Sequence, residues 1–502
     1  MNQETSVALS SQTSEVLRKH LLRPDGREDI CLALYRLSTG EFRATAIIED
    51  VIIPDESDRK PSIGSVEISG KFISDGVAKA YKTSCGLAII HSHPCGAGWQ
   101  SASSDDEKME ASFGNFVRGV TGLPLVGMTL AGLDKCWSAR FWNRGTGRKL
   151  SHTDSQNVRT VGDILKIDWN DRLRPPPITT ESIKRTVSAW GEKKQAELAR
   201  QNILIVGLGS VGLDVALRLA AAGATRLTFV DFDIVKQHNL DRLIGASATD
   251  VKLCRPKVDV AKRVVLKAAT SRQLEIKTLL GSICEPQWFS RVLDHDIIFS
   301  CVDRPWPRMV LNNLAYTDMI PVIDGGITIS VDPEQQMRNA IWGAHTICEG
   351  RPCMICLNHL GSQKAQLDKD GYLDDPTYIA QAKHLDPENS AQNVSLLSVA
   401  VTSAMLNQYV GICVAPGKPK NDYGSCMPIN YTLCTGGRTL FKENKTVYPQ
   451  SCHHTNRLKK GDSRDMSWLG NHPIAENNRY RDRNIPMSIK LKRMIDSWLH
   501  RH

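Results

Sequence analysis

The stretch NILIVGLGSVGLDVALRLAAAG, residues 202–223, constrains the fold more than any other part of the chain. An apolar run of strand length meets a glycine-rich turn and then a helical apolar pattern, and RLTFVDFD supplies a second strand from Arg226 onward. Strand, helix and strand in this order open a doubly wound sheet. Gly207, Gly209 and Gly212 form G-x-G-x-x-G at the first turn. Glycines there let the backbone approach phosphates, and the helix N-terminus offers unpaired N–H donors. Taken alone, this fits a dinucleotide dehydrogenase, a flavoprotein or an ATP-using enzyme. Asp231, 24 residues after Gly207, suits a ribose hydroxyl in each.

The residues that follow separate these readings. VDFDIVKQHNLDRLIG places Asn239 and Arg242 eight and eleven residues after Asp231, CRPKVDVAKR supplies Lys257, and FSCVDRPWPRMVLNN supplies Asp303. Hydride transfer needs no such set of cations and carboxylates around phosphates. Attack on an α-phosphate does, because cations offset charge on the triphosphate and departing pyrophosphate while a carboxylate holds Mg²⁺. The expected chemistry is ATP- and Mg²⁺-dependent adenylation.

At 502 residues the chain exceeds one hydrophobic core. RLRPPPITT, with Pro175 to Pro177, is the clearest break. The expected partition is a mixed α/β domain at 1–150, a linker at 151–182, the adenylation domain at 183–455 and a basic tail at 456–502. From Asn456 to His502 there are eleven Lys or Arg against five acids, so the tail carries most of the net charge of +9. Its end, MSIKLKRMIDSWLH, sets Leu491, Met494, Ile495, Trp498 and Leu499 at helical spacing, an apolar stripe expected to dock. The N-terminus lacks the pattern of a signal peptide and no run of about 18 apolar residues is evident, so a cytoplasmic protein is expected. Nucleic acid and membrane are not its expected partners. Fourteen scattered cysteines read as reduced thiols and not as a disulfide framework.

A second constellation lies in CGLAIIHSHPCGAGWQSASSDD. Gly86 to Ile90 read as a buried strand, and side chains on a strand repeat every two residues, so His91 and His93 face the same side. A catalytic zinc takes three protein ligands and keeps one open position, with a carboxylate acceptable as the third ligand. Asp105 and Asp106 open the next helix. By itself H-x-H is unspecific, and Glu28 in DGREDICLALYRL is one acid among many.

His91-Ser-His93-Pro followed by Ser103-x-x-Asp106 resembles the JAB/JAMM metallopeptidase signature, over roughly residues 20 to 140. The resemblance implies an (iso)peptidase acting after ubiquitin-like proteins. Its implied zinc ligands are His91, His93 and Asp106, with Asp105 the weaker candidate for the third place, Ser103 would hold the oxyanion, and Glu28 would be the general acid/base. The loop is two residues longer than the family's, an excess that Gly96-x-Gly98 would absorb. The other half resembles the ubiquitin-activating-enzyme-like superfamily of ThiF, MoeB and HesA adenylyltransferases. Asp231, Asp233, Val235, Asn239, Leu240 and Arg242 match its D-x-D-x-V…N-L-x-R. This implies Asp231 on ribose, Arg242 and Lys257 on phosphates, and Asp303 on magnesium. RTVSAWGEKKQ resembles the family helix that passes an arginine to the partner subunit, which nominates Arg185 and implies a homodimer. The expected fold is α/β, a JAB/MPN-type mixed domain followed by a Rossmann-like doubly wound ThiF-type domain.

Cys353 and Cys356 in GRPCMICL match the first half of the family's structural zinc site. Cys452, with His453 or His454, would complete a Cys₃His variant. No cysteine falls within residues 357–412, where a thioester-forming enzyme carries one; Asn389 and Ser390 stand near that place. The fallback thiols are Cys348, Cys413, Cys426 and Cys434. Both halves point to one substrate, a ubiquitin-like or sulfur-carrier protein ending in glycine. The leading expectation is processing and activation of such a protein in a bacterial conjugation system of the antiphage type, with a conjugating enzyme as further partner. The alternatives are sulfur-carrier activation for biosynthesis, which the missing loop cysteine favours, and a catalytically degenerate scaffold.

Overall fold

The structure, a computed structural model, describes residues 3–62, 65–144, 150–374, 394–414, 429–432, 437–440, 454 and 457–499. The chain forms two compact units. The first is residues 1–175 with the short segments 316–319 and 457–464, and the second is the remainder. The division falls inside the proline run, where three fixed φ angles keep the chain extended.

The first unit contains β1 (Glu4–Ser10), α1 (Ser11–Leu21), β2 (Ile30–Thr39), β3 (Arg43–Ile52), β4 (Arg59–Ser62), β5 (Ser65–Ile68), α2 (Gly70–Lys82), β6 (Gly86–His93), α3 (Ser104–Thr121), β7 (Leu125–Ala131), β8 (Trp137–Arg144), β9 (Leu150–Asp154), β10 (Asn157–Val161) and β11 (Lys166–Trp169). Nine strands make one mixed sheet in the order β11-β10-β1-β3-β2-β6-β7-β8-β9. β6 lies inside it, antiparallel to β2 and parallel to β7. Alternate residues of β6 enter opposite cores. Ala88 and Ile90 pack with Leu17 and Leu21 of α1, while Leu87 and Ile89 pack with Ile73 and Val77 of α2 and Val117 of α3. Covered on both faces, β6 reads as a continuous apolar run and not as an alternating one. Each buried Leu, Ile or Val here contributes about 1.5–3 kcal/mol by leaving water.

Residues 151–169 are not the linker expected from sequence. β9 extends the sheet beside β8, and β10 pairs with β1 and β11, so this polar stretch pays its backbone hydrogen bonds into the sheet. Residues 457–464 join the first unit, and 465–499 fold onto the second.

The second unit contains α4 (Lys184–Trp190), α5 (Glu192–Ala199), β12 (Asn202–Val206), α6 (Ser210–Ala221), β13 (Arg226–Asp231), α7 (Ala248–Lys252), α8 (Lys257–Ala268), β14 (Glu275–Leu280), α9 (Pro286–Val292), β15 (Ile297–Ser300), α10 (Pro305–Thr317), β16 (Val322–Val331), β17 (Met337–Ile347), α11 (Ser362–Lys369), α12 (Ser395–Cys413), β18 (Ile429–Thr432), β19 (Gly437–Leu440), α13 (Pro473–Arg483) and α14 (Met487–Leu499). Its eight-stranded sheet runs β14-β13-β12-β15-β16-β17-β18-β19, parallel through β16 and antiparallel beyond. The order reverses at β12, which puts a ligand crevice beyond the carboxyl ends of β12, β13 and β15.

The single helix suggested by RTVSAWGEKKQ is two, α4 and α5, broken at Gly191 with φ +83°. Among the described residues α12 is the one helix long and apolar enough to cross a bilayer, with a mean hydropathy of 1.4. It packs as a core helix, with Met405 against Gly325, Gln408 bonded to Thr346 and Ser398 to Ser210. α14 also departs from expectation. Its apolar stripe is exposed, Leu491 by 57% and Trp498 by 62%. The helix holds on through its polar edge instead: Asp496 accepts from Arg255 at 2.6 Å, and Arg493 Nε donates to the Leu253 carbonyl at 2.9 Å.

Candidate functional site

In the first unit β6 delivers His91 and His93 to one side of its carboxyl end. The neighbouring strand brings Glu28 to the same place. Ile30 pairs with His91, Asp29 N–H donates to Ser92 Oγ at 3.1 Å, and Ser92 N–H donates to the Asp29 carbonyl at 3.1 Å. The third member comes from α3. Ser103 caps that helix in a reciprocal box: its Oγ accepts from Asp106 N–H at 3.1 Å, and its own N–H donates to Asp106 Oδ2 at 2.8 Å. The box turns Asp106 inward. Asp106 Oδ1 lies 3.2 Å from His91 Nε2, and Oδ2 lies 3.5 Å from His93 Nε2. Asp105 points out and pairs with Lys108 at 3.1 Å.

His91, His93 and Asp106 are, among the described residues, the one set of His, Cys, Asp or Glu close enough to share a metal, with ligand atoms within 4.8 Å of one another. Two observations fit a metal there. His93 Nδ1 is 3.2 Å from Gln100 Oε1, an acceptor that places a ring proton on Nδ1, so Nε2, the nitrogen facing Asp106, is the one that would ligate on giving up its own proton. His91 is buried with Nδ1 lacking a hydrogen-bond partner, so this polar ring is not satisfied by protein alone. Its Nε2 lies 3.3 Å from Thr129 Oγ1, which accepts from Arg140 at 3.1 Å, and Arg140 is clamped by Glu110.

The charges are mutually supporting. Burial raises the Asp106 carboxyl, but hydrogen bonds from His91, His93 and the Ser103 N–H outweigh it and hold the group well below the usual range. The bond to Asp106 raises His93. Burial raises the Glu28 carboxyl, opposed by the charges of His93 and His91.

The second unit has a cavity of about 650 Å³ at the reversal of strand order. Gly207, Gly209, Asp231, Asn239, Arg242, Lys257 and Asp303 all line it. α6 starts at Ser210, after Gly209, which offers no side chain to cap it, and Gly209, Ser210 and Val211 line the cavity. Gly207 needs its φ of +88°. Gly212 does not line the cavity; a Cβ there would meet the Gly207 carbonyl oxygen at 1.8 Å, so it is a packing glycine. Asp231 ties the turn together, accepting from Leu208 N–H and Asp233 N–H at 2.7 Å each. Burial raises its pKa against the pull of Lys257. Burial also draws Lys257 down, but Asp231, Asp233 and Asp303 overcome this and raise it, and Lys257 Nζ donates to Asp233 at 2.7 Å.

Sequence reasoning missed part of the wall. Arg308 grips Asp324 through both carboxylate oxygens, and Ser300 Oγ donates to the same carboxylate at 2.8 Å. His345 Nε2 donates to the Pro352 carbonyl at 2.7 Å, its Nδ1 is buried without a partner, and burial pulls its pKa to about 3. His472 comes from the C-terminal segment. None of these has a spacing that marks it. Arg185 is exposed on α4 and outside this cavity.

Cys353 is buried, and its Sγ accepts from Cys356 N–H at 3.3 Å. Cys452, His453, Cys426, Cys434, Asn389 and Ser390 lie outside the described residues, while His454 is bonded to Asn312 and Asn313. Cys348 and Cys413 are buried, which removes them as thiols open to a carrier protein.

The ThiF family model matches residues 182–415. The molybdopterin-synthase adenylyltransferase of Escherichia coli K12 is 28% identical over 171 residues, 34% of this chain and 64% of that protein. Its Haemophilus influenzae counterpart is 32% identical over 162 residues, 32% of this chain and 63% of that protein. The chain thus spans less than two thirds of the length of these curated relatives. A crystal structure of E. coli MccB with ATP covers 52% of this chain and 71% of its own at 16% identity, with a TM-score of 0.39, too distant a likeness to carry an argument. The match encloses every cavity residue from Gly207 to His359, and residues 182–415 of this chain are a ThiF-family domain.

Proposed function

We propose that the second unit uses ATP to adenylate the C-terminal carboxylate of a small carrier protein ending in glycine. The observation that carries this is the convergence of an uncapped helix N-terminus, Arg242, Lys257 and Asp303 on one crevice. A carboxylate oxygen attacks the α-phosphorus, the bond to the bridging oxygen breaks, and pyrophosphate leaves. Arg242 and Lys257 take up the charge that grows on the leaving group, and Asp303 would hold Mg²⁺. Arg185, exposed on α4, would serve the nucleotide site of a second copy in a homodimer.

The likeness to molybdopterin-synthase adenylyltransferases favours sulfur-carrier activation over ubiquitin-like conjugation. This reverses the order of the two pathways expected from sequence. The test is ATP–pyrophosphate exchange with candidate carriers. Exchange lost in Arg242→Ala and Asp303→Ala is the expected result, and no exchange with any carrier would overturn the proposal.

For the first unit we propose a zinc-dependent peptidase of JAB/JAMM type that trims or releases the same kind of carrier. The trio His91, His93 and Asp106, with Glu28 two residues before the Ile30 that pairs with His91, favours it. These three would hold zinc, which supplies Lewis acidity at the scissile carbonyl. Glu28 takes the proton of the attacking water and returns it to the leaving amine. The Ser103 hydroxyl, whose oxygen accepts from Asp106 N–H, keeps its own hydrogen to donate to a developing oxyanion. Cleavage of a carrier extended beyond its terminal glycine should fall sharply in Glu28→Ala, and unchanged cleavage would remove Glu28 from the mechanism.

A further inference from the structure

Residues 465–499 lie beyond the ThiF match, yet they are built into the nucleotide crevice at three points. Asn478 Nδ2 donates to the Phe232 carbonyl at 3.0 Å, directly after Asp231. Arg479 clasps both oxygens of Glu285, whose Oε2 accepts from Ser282 N–H at 3.1 Å on the rim after β14. Asp496 and Arg493 hold the turn that precedes Lys257. At the head of this segment stands His472, 6% exposed and in the cavity wall.

The His472 ring bridges two rims. It lies parallel to Trp306 at 5.3 Å between centroids, and tilted against Phe232 at 4.5 Å. Its Nδ1 accepts from Ala475 N–H at 3.3 Å as the cap of α13. An accepting Nδ1 requires the ring proton to sit on Nε2. Burial keeps the ring on the neutral side, Glu285 opposing. No acceptor for that Nε2–H is found among the described residues. It is a donor held by two aromatic rings and a helix cap, against Phe232, the residue that directly follows Asp231.

We infer that His472 is a nucleoside-binding residue of the adenylation site, donating from Nε2 to a ring nitrogen or ribose oxygen of ATP, and that the C-terminal helices hold it there. This rests on the adenylation reading. Removing a fixed donor that meets a nucleoside acceptor accounts for a loss of about five- to tenfold in affinity. The ligand atom inferred here belongs to the nucleoside, so polyphosphate affinity should not change.

The test is calorimetric titration of the full-length protein with Mg·ATP and, separately, with inorganic tripolyphosphate. Wild type is compared with His472→Ala, His472→Phe and Arg242→Ala. His472→Phe keeps a ring between Trp306 and Phe232 while deleting the donor, so it reports on binding even if the alanine variant packs poorly; circular dichroism checks both. The expected result is ATP affinity reduced about five- to tenfold in both His472 variants with tripolyphosphate unchanged, against a loss of both ligands in Arg242→Ala. ATP bound by wild type and equally well by His472→Phe would overturn the inference alone. An equal fall for tripolyphosphate would also overturn it. No ATP binding by wild type would overturn the adenylation reading and the inference with it.

Discussion

The buried cluster behind His91 offers the sharpest test of how the first unit is held together. Glu110 is fully buried, and its two oxygens accept from Arg140 Nε at 2.8 Å, from a second guanidinium nitrogen at 2.5 Å and from Trp142 Nε1 at 2.5 Å. Room for the carboxylate exists only because residue 127 is glycine: a Cβ there would lie 2.2 Å from Glu110 Oε2. Glu110→Gln keeps the shape but turns one oxygen into an NH₂ that faces donors. Arg140, itself 1% exposed, is left charged and half-paired. Breaking one side of a buried ion pair costs about 3–5 kcal/mol, a large share of the roughly 5–15 kcal/mol that a folded domain has. Hydrogen exchange read by mass spectrometry is the suitable assay, because it reports each unit separately. Protection of β7 and β8 should fall about a hundredfold to several thousandfold, at 1.4 kcal/mol per decade, while β12 and β13 stay unchanged as an internal reference. A loss below about 0.5 kcal/mol would show that the pair adds nothing to stability, and would refute the claim that it anchors the strand pair carrying Thr129.

Three further outcomes are expected. Asp106→Asn should weaken zinc binding, measured by competition with a chromophoric chelator, on the order of a hundredfold, and Thr129→Ala about tenfold, with Asp105→Asn unchanged; equal effects of the two aspartates would contradict the geometry described. Gly209→Ala, where a Cβ meets nothing within 4 Å, should fold normally yet lose ATP, whereas Gly212→Ala should lower thermal stability as well, so a stable Gly212→Ala would speak against the packing role. His345 has a folded pKa of about 3 against about 6.5 unfolded, so below pH 6.5 the unfolded state binds a proton that the folded state refuses, and stability falls with pH. Between pH 7 and 5 this amounts to about 2 kcal/mol, read as exchange protection of β17, and a His345→Gln variant with the same pH dependence as wild type would exclude His345 as its source.

Local features were legible where periodicity or turn chemistry determines them. The unit β12–α6–β13 is written in NILIVGLG and RLTFVDFD, and the two-residue repeat of β6 places His91 and His93 together. The Ser103-x-x-Asp106 pattern that nominates Asp106 over Asp105 is itself a capping box that dictates which carboxylate turns back. The periodicity of α14 was readable, but which face a neighbour takes depends on Arg255 and Leu253, far away in sequence. Short polar strands such as β9 are set by the edge they join and carry little pattern of their own. Arg308, Asp324, His345 and His472 meet only through the tertiary fold, so no spacing announces them.

The loop between His93 and Ser103 is stitched from outside at several points: Gly132 N–H donates to the His93 carbonyl, Leu133 N–H to the Gly96 carbonyl, and Gly98 N–H to Asp134. Its two ends are therefore located by a strand ladder and by a helix cap, each independent of how many residues lie between them. Doubling a flexible loop costs only about 0.6 kcal/mol in closure entropy, so two added residues are nearly free. Loop length at such a site is consequently a neutral variable. A search for related centres that fixes the gap between proline and serine will pass over chains like this one, whereas a search on the ladder register and the capping pair will find them.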